Sequence, residues 1–200
     1  MTAPWQPLLD WWFGSADSAS EVAAQQGRLW FGKRDSQDLE ARTRFGDLVE
    51  QALAGGLTEW TQRPEGWLAL VLLLDQLPRM IFRENPKSYA GDLRAQKLVA
   101  QGIAADFDRQ LRPIQQVFIY LVFEHCEHLA VQNEAISRFA QLLVEQPEAE
   151  RAVFADNLDY AERHQAIIAR FGRFPHRNAV LGRESTVEEV AFLSQPGSRF

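Results

Sequence analysis

Three observations predict an all-α fold. Apolar residues recur every three to four positions through almost the whole chain, no stretch alternates apolar and polar residues in period two, and Gly or Pro stands at nearly every interruption. About seven to nine helices are expected, joined by connections short enough that consecutive helices pack antiparallel as hairpins.

The first helix runs from about Pro4 to Phe13 and stops at Gly14, with Leu8, Trp11 and Trp12 on one side. The second spans about Asp35 to Leu53 and ends at the glycines Gly55 and Gly56. Pro64 opens the third, where a missing N–H costs nothing. Trp67, Leu70, Val71 and Leu74 form its main apolar face, and Leu68, Leu72 and Leu73 make it apolar nearly all round, as a central buried helix should be. A fourth, amphipathic helix is expected over Lys87 to Gln101. The fifth, from Pro113 to about His128, repeats the central pattern through Ile114, Val117, Phe118, Leu121 and Val122. Leu129 to Glu145 gives a sixth and Pro147 to Phe171 a long seventh. Gly172 to Gly182 reads as an ordered loop, and Ser185 with Glu188 as a capping box for a short last helix through Leu193. No 34-residue repeat is visible. With no linker or low-complexity stretch, residues 1–200 read as one domain.

Composition narrows the function classes. Of 200 residues, 46% are apolar and 24% charged, which suits a globular chain with a sizeable core rather than a disordered or fibrous one. The net charge of -6 argues against a dedicated nucleic-acid or anionic-membrane surface. Only Lys33, Lys87 and Lys97 are lysine, so most positive charge is guanidinium, the group suited to gripping carboxylates and phosphates. A single cysteine, Cys126, rules out an internal disulfide and fits a reducing compartment. The opening MTAPWQPLLD lacks the basic and apolar regions of a signal peptide. The longest apolar run, Trp67 to Leu74, is far short of the roughly 20 residues that span a bilayer. A cytoplasmic protein is the expectation.

If the helices alternate in direction, the third, fifth and seventh deliver their C-terminal ends to one side of the molecule. Three polar clusters sit at those ends: Asp75, Gln76 and Arg79; Glu124, His125, Glu127 and His128; and His164 and Arg170, followed by Arg173, His176, Arg177 and Asn178. A shared site is the economical hypothesis. Each cluster also has a plainer reading. Asp75 and Arg79 are spaced as an ion pair on one helix face. Glu124 and His128 share a face, but without HExxH order or a second such motif no metal is assigned. From Arg163 to Arg183 there are five arginines and no acid, a run fit to bind a phosphate or carboxylate, or to cap helix ends and pair with Asp75, Glu124 and Glu127. No nucleophile elbow, Walker A loop or dinucleotide fingerprint is present, and Cys126 beside His125 is no dyad because helical neighbours point about 100° apart.

Three segments, LVLLLDQLPRMIFRENP, FIYLVFEHCEHLAVQ and LDYAERHQAIIARFGRFPHRNAVLGRESTVEEVAFL, together with DWWFG and LWFGK, resemble the bacterial family catalogued as domain of unknown function 924. The likeness covers essentially the whole chain. It implies a tetratricopeptide-like, right-handed array of helical hairpins and no particular activity. The family's recurring polar residues fall on Asp75, Gln76, Arg79, Arg83, Asp92, His125, Glu127, Gln132, His164, His176, Arg177 and Asn178. The chain departs from the family at Met80, Val122, Cys126 and His128, which weakens any site built on the last two.

The leading functional expectation is a helical module that binds a small anion or the acidic end of a peptide through Asp75, Gln76, Arg79, His125, Glu127, His164, His176, Arg177 and Asn178, with no metal or cofactor. Arg79 and Arg177 would donate, and Asp75 and Glu127 would orient them. One alternative is an enzyme, such as a hydrolase, with His125 or His176 as general base. Another is a protein-interaction scaffold, for which Trp5, Trp60 and Phe200 are candidate exposed anchors, each with the plainer reading of a core residue.

Overall fold

The computed structural model describes residues 2–198. Within them the chain is all-helical, in ten α-helical segments linked by turns and short 3-10 stretches. These are α1 (Gln6–Phe13), α2 (Ala19–Phe31), α3 (Asp35–Leu53), α4 (Pro64–Leu74), α5 (Gln76–Ile81), α6 (Asp92–Ala104), α7 (Pro113–Glu124), α8 (Leu129–Val144), α9 (Arg151–Phe171) and α10 (Val187–Leu193).

Helices α4 and α7 are the axis of the core. Every residue of α4 from Gly66 to Leu74 is buried, and so is every residue of α7 from Gln116 to Glu124. Each fully buried leucine on α4 contributes about 1.5–3 kcal/mol of transfer free energy, so this helix is held by its surroundings rather than by helix propensity. Around these two pack α3, α6, α8 and α9, with α8 lying along α9 and α6 bridging α4 and α7. Midway along α7, Phe118 is enclosed edge-on by Trp12, Phe13 and Trp30, which ties α1 and α2 to the core.

Several boundaries differ from those the sequence predicts. Helix α2 was not expected; Ser18 caps it by accepting from the Glu21 N–H at 3.2 Å. The expected third helix breaks at Asp75. Pro78 has no N–H to give the Leu74 carbonyl and its ring would clash there, so the ladder ends and α5 restarts as a short turn. Residues Pro86–Tyr89 form a 3-10 turn and α6 begins at Asp92, not Lys87. Helix α7 stops at Glu124, four residues early, and α9 starts at Arg151 after a 3-10 turn. The capping box of α10 is Thr186 with Glu189, one residue beyond the expected pair; the Ser185 hydroxyl accepts instead from Asn178. Trp60 is buried and Trp5 half-buried, their rings packed at 5.7 Å, so neither is an exposed anchor. Phe200 lies outside the described residues.

Candidate functional site

The break at Asp75 aims a carboxylate into the interior. Asp75 is fully buried at the C-terminal end of α4, and Gly91 packs against the Leu74 carbonyl just before it. A Cβ at position 91 would sit 2.1 Å from that oxygen, so only glycine lets the start of α6 come this close. The next residue, Asp92, is thereby carried to the same spot. Helix α7 ends alongside, with His125 as its C-cap.

These pieces meet in one buried network. His125 Nδ1 lies 2.8 Å and 3.0 Å from the two Asp75 carboxylate oxygens, and Gln76 Nε2 donates to Oδ2 at 2.6 Å. Arg79 reaches back to Asp75 at 3.1 Å, yet its principal partner is Asp92, which it grips with two parallel bonds of 3.0 Å. The intrahelical ion pair anticipated from spacing is thus one edge of a triad.

The long arm after α9 closes over the network. Gly172 ends α9 in the left-handed conformation, and the 3-10 turn Pro175–Arg177 sends Arg177 inward. Its guanidinium lies over the rings of Tyr89 at 4.8 Å and Phe174 at 4.5 Å. Its nearest ionic contact is Asp92, at 3.6 Å from Nη1, and Nε is buried with no hydrogen-bond partner. His164, on the inner face of α9, places Nδ1 3.0 Å from Glu124 and 2.8 Å from the Tyr160 carbonyl. The His125 and His164 rings are 6.5 Å apart, and both His164 and His176 pack on Phe174.

Electrostatics follow from burial and partners. Burial opposes ionisation of Asp75, but the Arg79 charge and the hydrogen bonds from His125 and Gln76 outweigh it and hold the carboxyl below its usual range. Asp92 moves the other way, raised by burial that Arg79 only partly offsets. Burial lowers the His125 pKa despite Asp75, so the ring is neutral near pH 7 and donates through Nδ1 to the carboxylate. His176 falls to about 3, through burial first and the Arg177 charge next. Arg177 is itself pushed down by burial and by Arg79. A neutral imidazole oriented by a carboxylate can accept a proton, and an under-compensated guanidinium can take an anion.

Not every predicted residue is free for such work. Glu127 accepts from the Phe174 N–H at 2.7 Å and from both ends of the Arg183 guanidinium, at 2.6 and 2.9 Å. Asn178 is a bracket inside the arm: its amide nitrogen donates to Ser185 and Glu189, and its oxygen accepts from Arg183. Both fasten the arm that carries Arg177. His128, at the start of α8, is exposed. Among the described residues no group of three or more His, Cys, Asp or Glu could hold a metal ion.

Residue-level reading missed Tyr89, had Asp92 only through the family resemblance, and had Arg183 only as one of five arginines able to pair with acids such as Glu127. Asp92 carried a usable signal in the G-D pair that opens α6, since an acid in the first turn suits the helix dipole. The stacking role of Tyr89 had none, because nothing local brings residues so far apart in sequence together.

The likeness to known proteins is consistent with this picture and adds no activity. No curated protein matches the chain. A solved structure of a protein of unknown function, ATU0120 from Agrobacterium tumefaciens, is 34% identical, superposes with a TM-score of 0.74, and shares 88% of this chain and 99% of its own. The model of a bacterial protein family of unknown function, DUF924, matches residues 8–197, and the chain belongs to that family.

Proposed function

We propose that the protein binds a small anion, a carboxylate or a phosphate, at Arg177 with Arg79 beside it. The observation that carries this reading is the state of Arg177: its side chain is 7% exposed, its nearest carboxylate is at 3.6 Å, and Nε has no partner. A buried charge held so loosely is costly to the fold, and a bound anion would supply the missing acceptors in the planar, two-pronged geometry guanidinium favours. Asp92 then acts as the internal counter-charge, fixing Arg79 while leaving Arg177 open.

Arg177→Met tests it. Replacing a poorly paired buried ion by an apolar side chain of similar length leaves the ligand-free protein as stable or more so. The wild-type melting temperature should rise with added inorganic phosphate or a dicarboxylate such as succinate, by the amount ligand saturation dictates, about 2.7 kcal/mol at a hundred times the dissociation constant. The variant should show no rise. Equal shifts in both proteins would remove Arg177 from the site.

A second reading is favoured by one contact, the 2.8 Å bond between His125 Nδ1 and a fully buried carboxylate. Asp75 fixes the tautomer, leaving Nε2 to take a proton from water or from a bound anion's own acidic group. On this reading the protein is an acid–base enzyme, of which a hydrolase is one form. The lone, buried and free Cys126 suits a cytoplasmic setting. No helix among the described residues is long and apolar enough to cross a membrane.

A further inference from the structure

Two further side-chain oxygens, one on α7 and one on α8, are buried without a hydrogen-bond partner: Oε2 of Glu124 and Oε1 of Gln132. Native interiors contain few such atoms, and each calls for an explanation. Here the two differ in kind from Arg177 Nε. That atom is a cationic donor, whereas a carboxylate oxygen and an amide oxygen only accept. The Gln132 orientation is fixed by its surroundings, because its Nε2 donates to the carbonyls of Glu124 at 2.6 Å and Cys126 at 2.7 Å. Flipping the amide would set an acceptor against both. Glu124 is held at its other oxygen by His164, at 3.0 Å.

Arg177 and the partner of Glu124 pack on one ring, and Gln132 is tied to the Glu124 carbonyl. Arg177 lies 4.5 Å above the centre of the Phe174 ring, and the His164 ring meets the same ring at 5.5 Å while holding Glu124. The network and the arm over it hold three guanidinium groups, Arg79, Arg177 and Arg183, and four carboxyl groups, Asp75, Asp92, Glu124 and Glu127. A bare anion would deepen that formal excess of negative charge; a ligand carrying its own cation would not.

We propose that the ligand is a zwitterion of the amino-acid type, its carboxylate on Arg177 and its ammonium group on the free oxygens of Glu124 and Gln132. This rests on the reading of Arg177 as an anion site and adds to it a requirement for a positive, proton-donating group. An ammonium has three donors, enough to serve both oxygens at once. The carboxylate takes the two-pronged face of Arg177, and Phe174 separates the two ends and keeps water from between them.

Histidine ring protons report the test in the full-length protein. The chain has four histidines; His125, His164 and His176 stand at the site, and exposed His128 serves as the internal control. Glycine, β-alanine and 4-aminobutanoate, and in parallel acetate, propanoate, butanoate and inorganic phosphate, are titrated while the ring Cε1 protons are followed by NMR. One amino acid of the series should bind at least tenfold more tightly than its matched acid, moving His164 and His125 but not His128, and its chain length gives the spacing between the two subsites. Glu124→Gln should bring the ratio close to one with the acid's own affinity kept. If amino acids and acids bind alike, the ammonium requirement is wrong, the anion site stands, and Glu124 and Gln132 are served by water. If no acid, amino acid or phosphate binds, both readings fail. Should Glu124→Gln not fold, the wild-type ratio alone decides.

Discussion

Helix α7 carries two buried polar clusters, one near each end, and they are built differently. Toward the N-terminal end, the Tyr120 hydroxyl lies 2.8 Å from Asp108 and 3.1 Å from Gln116, whose amide donates to the Leu111 carbonyl, and Arg138 stands 3.8 Å from Asp108. None of these atoms is left without a partner. At the C-terminal end, Asp75, His125, Asp92 and Arg79 are knotted together just as tightly, yet Arg177, Glu124 and Gln132 each keep a buried atom unserved. A closed network does its work by holding helices in register; an open one at equal depth costs stability that a ligand can return. The same contrast separates the arginines of the arm. Arg173 and Arg183 each grip a glutamate with two bonds, while Arg177 between them does not. Pairing, rather than residue type or charge density, distinguishes the fastening from the candidate site.

The comparison breaks most visibly at Asp75. Asp75→Ala strips a counter-charge from Arg79 and the orienting partner from His125, leaving buried groups uncompensated, and should cost on the order of 3 kcal/mol or more. Guanidinium chloride unfolding at pH 7.5 measures it; a loss under about 1 kcal/mol would mean the knot is not as tightly coupled as its distances indicate.

A smaller effect comes from pH, and its sign separates the two ends because the histidines stand only at the C-terminal one. His176 is depressed to about 3 and His125 is lowered too, so the folded protein holds their rings neutral while the unfolded chain protonates near 6.5. The unfolded state therefore binds more protons in acid. This contribution is whole above about pH 6.5 and is lost as pH falls toward the folded values; His176 alone accounts for about 2 kcal/mol between pH 8 and pH 5. Urea midpoints across that range should fall, and His176→Gln should flatten the slope. A slope unchanged by that substitution removes His176 as its source.

The smallest effect is expected at the closed end. Tyr120→Phe deletes one hydroxyl from a network with other donors at hand and should cost about 1 kcal/mol. It should leave the response to phosphate or amino acids untouched, whereas a changed response would show that the two ends of α7 are coupled.

How far the site was legible depended on whether a residue's role was local. Leu68, Leu70, Leu72, Leu73 and Leu74 announce a central helix because helical periodicity is a short-range property. The three polar clusters were visible for the same reason, as charged residues gathered where apolar runs stop. Even the overlooked α2 carried a start signal, the sequence Ser18-x-x-Glu21. Asn178 and Glu127 show the opposite case. Their residue types fit ligand contact, and only the position of Arg183 reveals that they fasten the arm.

The sequence by itself determined the helical class, the buried status of α4 and α7, and the kinds of polar group at their ends, because periodicity, caps and breakers act within a few residues. Which arginine is paired and which is left open was decided by tertiary structure alone. Arg79 meets Asp92 because Gly91 lets α6 touch the end of α4, and Arg177 is left 3.6 Å from the same carboxylate because the arm fastened by Glu127 and Glu189 sets it there. Ion pairing turns on differences of less than an ångström between elements distant in the chain, and no local pattern encodes those.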